Sequence, residues 1–424
     1  MPQECDKIIL SIRITLCGML RFICFEYSLF SVRDVLDAPK NFIIKHEESE
    51  CMLKIFHMGD VHLDGAFGRF PRAERVKLRA HQREIFKKMI DYVARGSYDM
   101  LLITGDLFDG IAPTPECEEC VASALSTLSC PVIISPGNHD PYALVSLYRK
   151  ERLGENVYVF SSKEPQIFEF SELGALVCGY AFVESNELRS DPLADFQMPE
   201  FDGVKILCAH GELGVSGSKF APLSEAEIAS LGFTYAALGH VHMPSVTTRD
   251  GATIAYCGVS EGRGFDELGV GGAYSVTIDG ELVDVERVPF GEYVYKIEEL
   301  DMSEIGSEHE LAERVEAIVS GVECAERTSL RILLTGEADA EVVSRAESVV
   351  NAAKAGLYHI ELKDKTYPKI DLSSLAQDST LRGEIYRTML PQLESEIPEE
   401  RCLAAKALKV ALLAVDGREL GISI

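Results

Sequence analysis

The sequence predicts an α/β protein, followed by a smaller α+β unit and a terminal pair of helices. Three observations support this. Between Leu53 and about Phe290, short β-branched and apolar runs alternate with helical stretches. Many of the runs end directly in Gly-Asp, Gly-Asn or His, so polar residues gather just past strand carboxyl ends, where ligand sites of α/β sheets form. From Tyr293 the pattern changes to one of few strands and amphipathic helices. The expected organisation is a main domain over 52–290, a lobe over 291–372 and a helical segment over 373–424.

Composition narrows the function. A chain of 424 residues is longer than one core usually serves, and 46% apolar with 26% charged residues excludes a disordered or collagen-like polymer. Lys and Arg total 41 against 68 Asp and Glu, a net charge of −27, which argues against a histone-like coat on DNA or a binder of anionic membranes. Any contact with nucleic acid must come from a local patch or from bound cations. Trp is absent and aromatics are 8%, so nothing points to a carbohydrate cleft.

Residues 1–51 read as a mis-assigned upstream start or a poorly ordered extension. The apolar stretch from Ile8 to Phe30 is interrupted by Arg13, Arg21 and Glu26, too often for a membrane span, and no small-residue cleavage site follows. Met52 then opens the first strand. The candidate strands are LKIFHM, MLLIT, PVIIS, NVYVF, ALVCGY, VKILCA, YAALG, TIAYCG and AYSVTID; the last pairs with LVDVERV across Asp279-Gly280 as a hairpin that closes the main domain. In the lobe, YVYKIEEL, LRILLTG and LYHIELK read as strands, with helices over Glu308–Val319 and Ala340–Ala353. Beyond it, Leu381, Ile385, Met389 and Leu393 form one helical stripe; Ala404, Leu408, Leu412 and Val415 form another after a start at Ser395 and Pro398. Such a pair can cap the domain or dock on a partner. The 12 cysteines are thinly spread, and Cys178, Cys208 and Cys257 lie in apolar runs, which suits a reducing cytoplasm; Cys117 and Cys120 read as two positions at one helix start.

The chemistry lies in five clusters, each after a strand. They are G-D-V-H (Asp60, His62), G-D-L-F-D (Asp106, Asp109), G-N-H-D (Asn138, His139, Asp140), A-H-G (His210) and G-H-V-H (His240, His242), spaced widely enough for crossovers between parallel strands. Four imidazoles, two carboxylates and an amide oxygen at one sheet edge suit two ions such as Mn²⁺, Fe²⁺ or Zn²⁺ better than Ca²⁺ or Mg²⁺. One Asp can bridge two cations about 3.5–4 Å apart, and glycines before the ligands would let backbone pass close to the metals.

On these motifs, from Lys54 to about Val259, the chain resembles the calcineurin-like metallophosphoesterases, and within them the SbcD-type DNA repair exonucleases with their YhaO-like branch. The resemblance continues more loosely to the C-terminal helices. It implies a metallophosphoesterase β-sandwich flanked by helices, with the α+β unit as a cap lobe. It further implies one metal on Asp60, His62, Asp106 and His242, and a second on Asp106, Asn138, His210 and His240. Water acidified by the cations would attack phosphorus, and His139, itself no ligand, would serve the leaving oxygen. By resemblance the nuclease subunits dimerise, and the helix pair docks on an SMC-like ATPase. One departure stands out. Repair nucleases often carry His three residues after the bridging Asp; here it is Asp109, as in the phosphoprotein phosphatases of the same superfamily, where it orients the G-N-H histidine. Asp109 is therefore expected to accept a hydrogen bond from His139 and raise its pKa, the alternative being a solvated loop Asp.

Residues 69–88 carry Arg69, Arg72, Arg75, Lys77, Arg79, Arg83, Lys87 and Lys88 against only Glu74 and Glu84. Arg72, Arg75, Arg79 and Arg83 fall on one helical stripe just after the first metal motif. They read either as sequence-blind phosphate contacts to DNA or as a solvated face paired with acidic neighbours. The leading expectation is a Mn²⁺-dependent DNA exonuclease, with or without endonuclease activity, acting on single strands or duplex ends. The runner-up is a phosphatase or nucleotide phosphodiesterase; against it, Gly110-Ile111 break the phosphatase motif G-D-x-x-D-R-G, and a compact nucleotide enzyme has no need of the residues after the hairpin. A non-catalytic scaffold is disfavoured by the complete ligand set.

Overall fold

The computed structural model describes residues 52–415, except 69, 151, 355, 370 and 371, together with 417. Residues 1–51 and Arg69 lie outside the described residues, and so do the expectations placed on them.

The chain runs through β1 (Leu53–Met58), α1 (Arg72–Arg95), β2 (Met100–Ile103), α2 (Pro115–Leu125), β3 (Val132–Ile134) and β4 (Val157–Val159). It continues with β5 (Gln166–Phe170), β6 (Ala175–Gly179), β7 (Val204–His210), the short β8 (Glu212–Leu213) and β9 (Pro222–Leu223), then α3 (Glu225–Ser230), β10 (Tyr235–Gly239), β11 (Ser245–Arg249) and β12 (Ala252–Tyr256). The hairpin β13 (Gly272–Asp279) and β14 (Leu282–Pro289) follows. These strands build two six-stranded sheets, in the orders β14-β13-β1-β2-β3-β4 and β11-β12-β10-β7-β6-β5. In the first, β1 to β4 are parallel; in the second, β6, β7, β10 and β12 are parallel.

Burial on both faces explains why these strands read as continuous apolar runs. Leu53, Ile55, Met100, Leu102 and Ile133 of the first sheet pack against Val177, Ile206, Cys208, Ala237 and Ala255 of the second, forming the sandwich core. One residue out of phase, Phe56, Met58, Leu101, Ile103 and Val132 face outward under Ile85, Phe86 and Met89 of α1 and Val121 of α2. The far face of the second sheet is covered around Ile228 of α3 by Phe182 and Leu193. Besides the two-residue strands, two strands of these sheets escape the sequence reading. The edge strand β11 is exposed along its whole length and has no apolar pattern, and β5 only alternates.

After the hairpin, β15 (Val294–Asp301), α4 (Glu308–Ser320), β16 (Thr328–Thr335), β17 (Glu337–Ala338), α5 (Ala340–Ala352), β18 (His359–Asp364) and β19 (Tyr367–Pro368) follow. β15, β16 and β18 form a parallel sheet with its own core around Leu311, Val315, Leu330, Ile332, Ala346 and Ile360. The chain ends in α6 (Leu372–Gln377), α7 (Leu381–Leu393) and α8 (Pro398–Val415). The two expected stripes meet each other, with Leu375, Tyr386, Leu408 and Leu412 as a small core. Leu381 and Val415, at the ends of the stripes, are exposed. Cys117 and Cys120 lie together on α2, and both are free thiols, as are Cys130, Cys178, Cys208, Cys257 and Cys324. Among the described residues no helix is long and apolar enough to cross a membrane.

Candidate metal centre

The parallel strands explain how distant motifs meet. β1, β2 and β3 are neighbours in one sheet and β7 and β10 in the other, so their carboxyl ends open on one edge of the sandwich. Asp60 and His62 follow β1, Asp106 and Asp109 follow β2, Asn138 and His139 follow β3, His210 ends β7, and His240 and His242 follow β10. The first two loops prolong the β ladder, with Asp60 N–H donating to Gly105 C=O at 3.0 Å and His62 N–H to Asp106 C=O at 2.9 Å.

The backbone here is strained. Asp60, His62 and Asp106 each have φ of +49° and His240 has φ of +100°, a region that side-chain-bearing residues rarely adopt. Four of the seven expected ligands sharing this feature matches the concentration of such strain at functional sites. The glycines also leave room for side chains. A Cβ on Gly137 would lie 2.2 Å from Asp106 Oδ1, and one on Gly105 2.6 Å from His210 Nδ1. The room they leave is filled by the side chains of Asp106 and His210.

Asp140, the last residue of G-N-H-D, is buried and acts as a buttress. Its Oδ1 accepts the N–H groups of Asp106 (3.1 Å) and Gly137 (2.8 Å). Its Oδ2 accepts those of Leu107 (2.8 Å) and Phe108 (3.2 Å), and the Tyr148 hydroxyl at 2.5 Å. One carboxylate thus fastens the loop bearing Asp106 to the loop bearing Asn138.

Three imidazoles are fixed in one tautomer by what lies behind them. His62 Nδ1 is 3.1 Å from Asp109 Oδ1, His210 Nδ1 is 2.9 Å from the Thr104 carbonyl, and His242 Nδ1 is 2.9 Å from Glu267 Oε1. Each acceptor takes the Nδ1 proton and turns the Nε2 lone pair inward. Burial pushes the His62 pKa down to about 4 and that of His210 down to about 3, so both rings are neutral near pH 7. His240 is likewise lowered to about 4 by burial. His242 differs: burial is the largest influence and lowers it, but the bond to Glu267 and the charges of Asp60 and Glu267 together raise it.

The inward atoms face one another. His210 Nε2 lies 2.9 Å from Asn138 Oδ1 and 3.4 Å from Asp106 Oδ2. His62 Nε2 lies 3.7 Å from the same Asp106 Oδ2 and 3.2 Å from His242 Nε2, and His242 Nε2 is 3.9 Å from Asp60 Oδ1. His240 Nδ1 is 3.2 Å from Asn138 Oδ1. Asp60, His62 and His242 converge as one group, and Asp60, Asp106 and His210 as another, each within 4.8 Å. Burial and Asp106 push the Asp60 carboxyl up to about 8, the repulsion expected where carboxylates converge without a cation between them. His62, Asp106 and His139 form a third such group, so Asp60, His62 and Asp106 each belong to two of the three, and imidazole nitrogens and carboxylate oxygens aimed at each other fit divalent cations.

His139 is the exposed member. Its backbone N–H donates to Asp106 Oδ1 at 2.8 Å, and its ring Nδ1 lies 3.4 Å from Asp109 Oδ1, whose charge raises its pKa. Asp109 is shared more widely than expected. The same oxygen receives His62 Nδ1 and, at 3.3 Å, Arg263, while Oδ2 accepts the Ala66 N–H at 3.2 Å. Against the cost of burial, the bonds from His139 and His62 hold Asp109 well below the usual carboxylate range. Arg263 and Glu267 lie in no motif, and their only sequence signal is an Arg and a Glu four residues apart after the strand TIAYCG.

The four stripe arginines do not behave alike. Arg83 is only 12% exposed and is paired with Asp64 (3.4 Å) and Glu116 (2.9 Å). Arg79 donates from Nε to the Gly65 carbonyl at 2.9 Å. Both brace the loop that follows His62, as does buried Gln82, which donates to the His62 carbonyl at 3.0 Å. Arg72 is exposed and Arg75 half-buried. Of the remaining histidines, His57 is buried between Tyr235 and Thr104, and His81 pairs with Glu261.

Comparison with known proteins agrees with this arrangement. The calcineurin-like phosphoesterase family matches residues 53–244. An uncharacterized metallophosphoesterase, YhaO of Bacillus subtilis, is 23% identical over 74% of this chain and 79% of its own. The DNA double-strand break repair protein Mre11 of Aeropyrum pernix is 26% identical over 72% of this chain and 78% of its own. A solved dimetal phosphatase from Danio rerio aligns with 56% of this chain and 96% of its own at 11% identity and a TM-score of 0.36, too loosely to bear on function. Residues 53–244 form a calcineurin-like metallophosphoesterase domain, of a family that hydrolyses phosphoesters.

Proposed function

We propose that this protein is a DNA exonuclease, with or without endonuclease activity, that hydrolyses phosphodiester bonds with two Mn²⁺ ions and acts in DNA repair. Asp60, His62, Asp106 and His242 would hold one cation, and Asp106, Asn138, His210 and His240 the other. Cations there supply an acidified water as nucleophile and positive charge against the phosphoryl oxygens. The chain's own residues do the rest. The buttressed loops fix the donor geometry, and Asp109 raises the pKa of exposed His139, which would donate a proton to the leaving oxygen. The observation that carries this reading is the convergence of imidazoles and carboxylates beside an exposed histidine paired with a carboxylate.

Choice of DNA is supported by relatives named for double-strand break repair and by exposed Arg72 and half-buried Arg75 beyond the site. The acidic chain is consistent with a partner, an SMC-like ATPase on the α7–α8 pair, supplying much of the hold on DNA, with the nuclease acting as a homodimer in the cytoplasm. The α+β lobe would select strand ends or single strands. The Asp109–His139 pair gives the alternative, a metallophosphatase or nucleotide phosphodiesterase, its specific support. The deciding experiment incubates the full chain and Mn²⁺ with end-labelled single- and double-stranded DNA, beside nucleotide and phosphomonoester substrates. Shortening of labelled DNA that is lost in His139→Ala while Mn²⁺ remains bound is the expected result. Turnover of the small substrates with DNA untouched would establish the alternative.

A further inference from the structure

Two of the carboxylates that orient ligand histidines share one cation. Arg263 lies 3.3 Å from Asp109 Oδ1, which faces His62 Nδ1, and 2.6 Å from Glu267 Oε1, which faces His242 Nδ1. His210 is oriented by a backbone carbonyl instead, and His240 turns Nδ1 inward. Arg263 therefore stands behind the Asp60, His62 and His242 position and not behind the other.

The loop that carries Arg263 is fastened to the α+β lobe. The Phe265 ring is buried, 5.2 Å from the Tyr295 ring of β15, with the Arg331 guanidinium of β16 stacked at 4.1 Å. Gly269 N–H donates to the Tyr295 carbonyl at 3.1 Å. At the loop's start, buried Glu261 accepts the N–H groups of Glu292 (3.0 Å) and Tyr293 (2.7 Å), leading into β15. Within it, Glu267 folds back to accept the Arg263 N–H at 2.7 Å. A displacement of the lobe must pull on Phe265, and through the loop on the guanidinium two residues away.

We propose that Arg263 is a positioning residue that sets the affinity of the cation position bounded by Asp60, His62 and His242, and that the α+β lobe acts on that position through Phe265. This rests on the two-cation reading above. Losing the group that orients metal-bound imidazoles typically weakens binding by about 10–100-fold. Here one substitution loosens two such groups at one position and none at the other.

The test is equilibrium dialysis of the full-length protein against Mn²⁺, with bound metal counted directly. The wild type is expected to bind two ions per chain. Arg263→Gln should keep one at unchanged affinity and weaken the other by about 10–100-fold. In a His62→Ala background, which already lacks that position, Arg263→Gln should change nothing further. Arg331→Ala, which leaves the loop's own residues in place and guards against a misfolded Arg263 variant, should weaken the same ion by a smaller factor. Equal weakening of both ions, or no change in either, overturns the role of Arg263. An unchanged Arg331→Ala overturns the link to the lobe. If the wild type itself bound fewer than two ions, the two-cation reading would fall first, and this inference with it.

Discussion

Replacing Asp140 by Asn keeps the side chain's shape and removes one acceptor oxygen. The carboxylate serves four buried backbone N–H groups and one hydroxyl, two donors on Oδ1 and three on Oδ2. If the amide oxygen takes the Oδ2 place, the N–H groups of Asp106 and Gly137 face an NH₂. If it takes the other, those of Leu107 and Phe108 and the Tyr148 hydroxyl do. A buried donor left unpaired costs about 1–3 kcal/mol, so even the better orientation should cost about 2–6 kcal/mol. The assay is urea unfolding of the metal-free protein followed by circular dichroism and tyrosine fluorescence, since the chain has no Trp. Tyr148→Phe, which removes a single donor, should cost no more than about 1.5 kcal/mol on the same scale. Because the loosened loop carries Asp106, Asp140→Asn should also weaken Mn²⁺ binding, while Tyr148→Phe should spare most of it. A loss below about 1 kcal/mol in Asp140→Asn, with metal affinity intact, would refute the buttress.

Gly137→Ala should cost at least about tenfold in Mn²⁺ affinity by dialysis, because the new methyl would sit 2.2 Å from Asp106 Oδ1 and must displace it. Burial lowers the His57 pKa to about 3 from an unfolded value of 6.5, so the unfolded chain takes up a proton that the native state refuses. Its contribution is complete above pH 6.5 and shrinks by about 1.4 kcal/mol for each unit the pH falls toward 3. Unfolding of the metal-free protein across that range should show a shallower acid limb in His57→Gln. Arg75→Glu should lower DNA turnover and its salt dependence but leave hydrolysis of a p-nitrophenyl ester unchanged. Arg83→Glu should instead destabilise the fold by about 1–3 kcal/mol, seen in the unfolding midpoint, because it sets a like charge beside Asp64 and Glu116.

Much of the site is legible in the sequence because ligand chemistry is tied to strand ends. A parallel strand must stop where its loop turns, and Asp60, Asp106, Asn138, His210 and His240 each follow or end an apolar run, so the runs announce their places. The groups behind the ligands announce nothing. Asp140 is one more acid in a motif until its carboxylate is seen under four N–H groups. Arg263 and Glu267 lie in a loop with no periodicity, and a Thr104 carbonyl that orients His210 has no sequence signature at all. The stripe of arginines on α1 looks uniform on a helical projection. Yet Arg83 and Arg79 turn toward the loop after His62, because what a charged side chain does depends on which partner lies across from it.

The sequence alone determined the alternation of strands and helices, most of the hydrophobic layers and the residue types gathered at the strand ends, since periodicity and strand-end chemistry are local. Tertiary structure alone decided which nitrogen each imidazole presents, which carboxylates are shared and how the α+β lobe reaches the centre. Those depend on atoms from separate loops and strands, 47 residues apart for His62 and Asp109 and 154 for Arg263 and Asp109, meeting within hydrogen-bond distance, and no spacing along the chain encodes that.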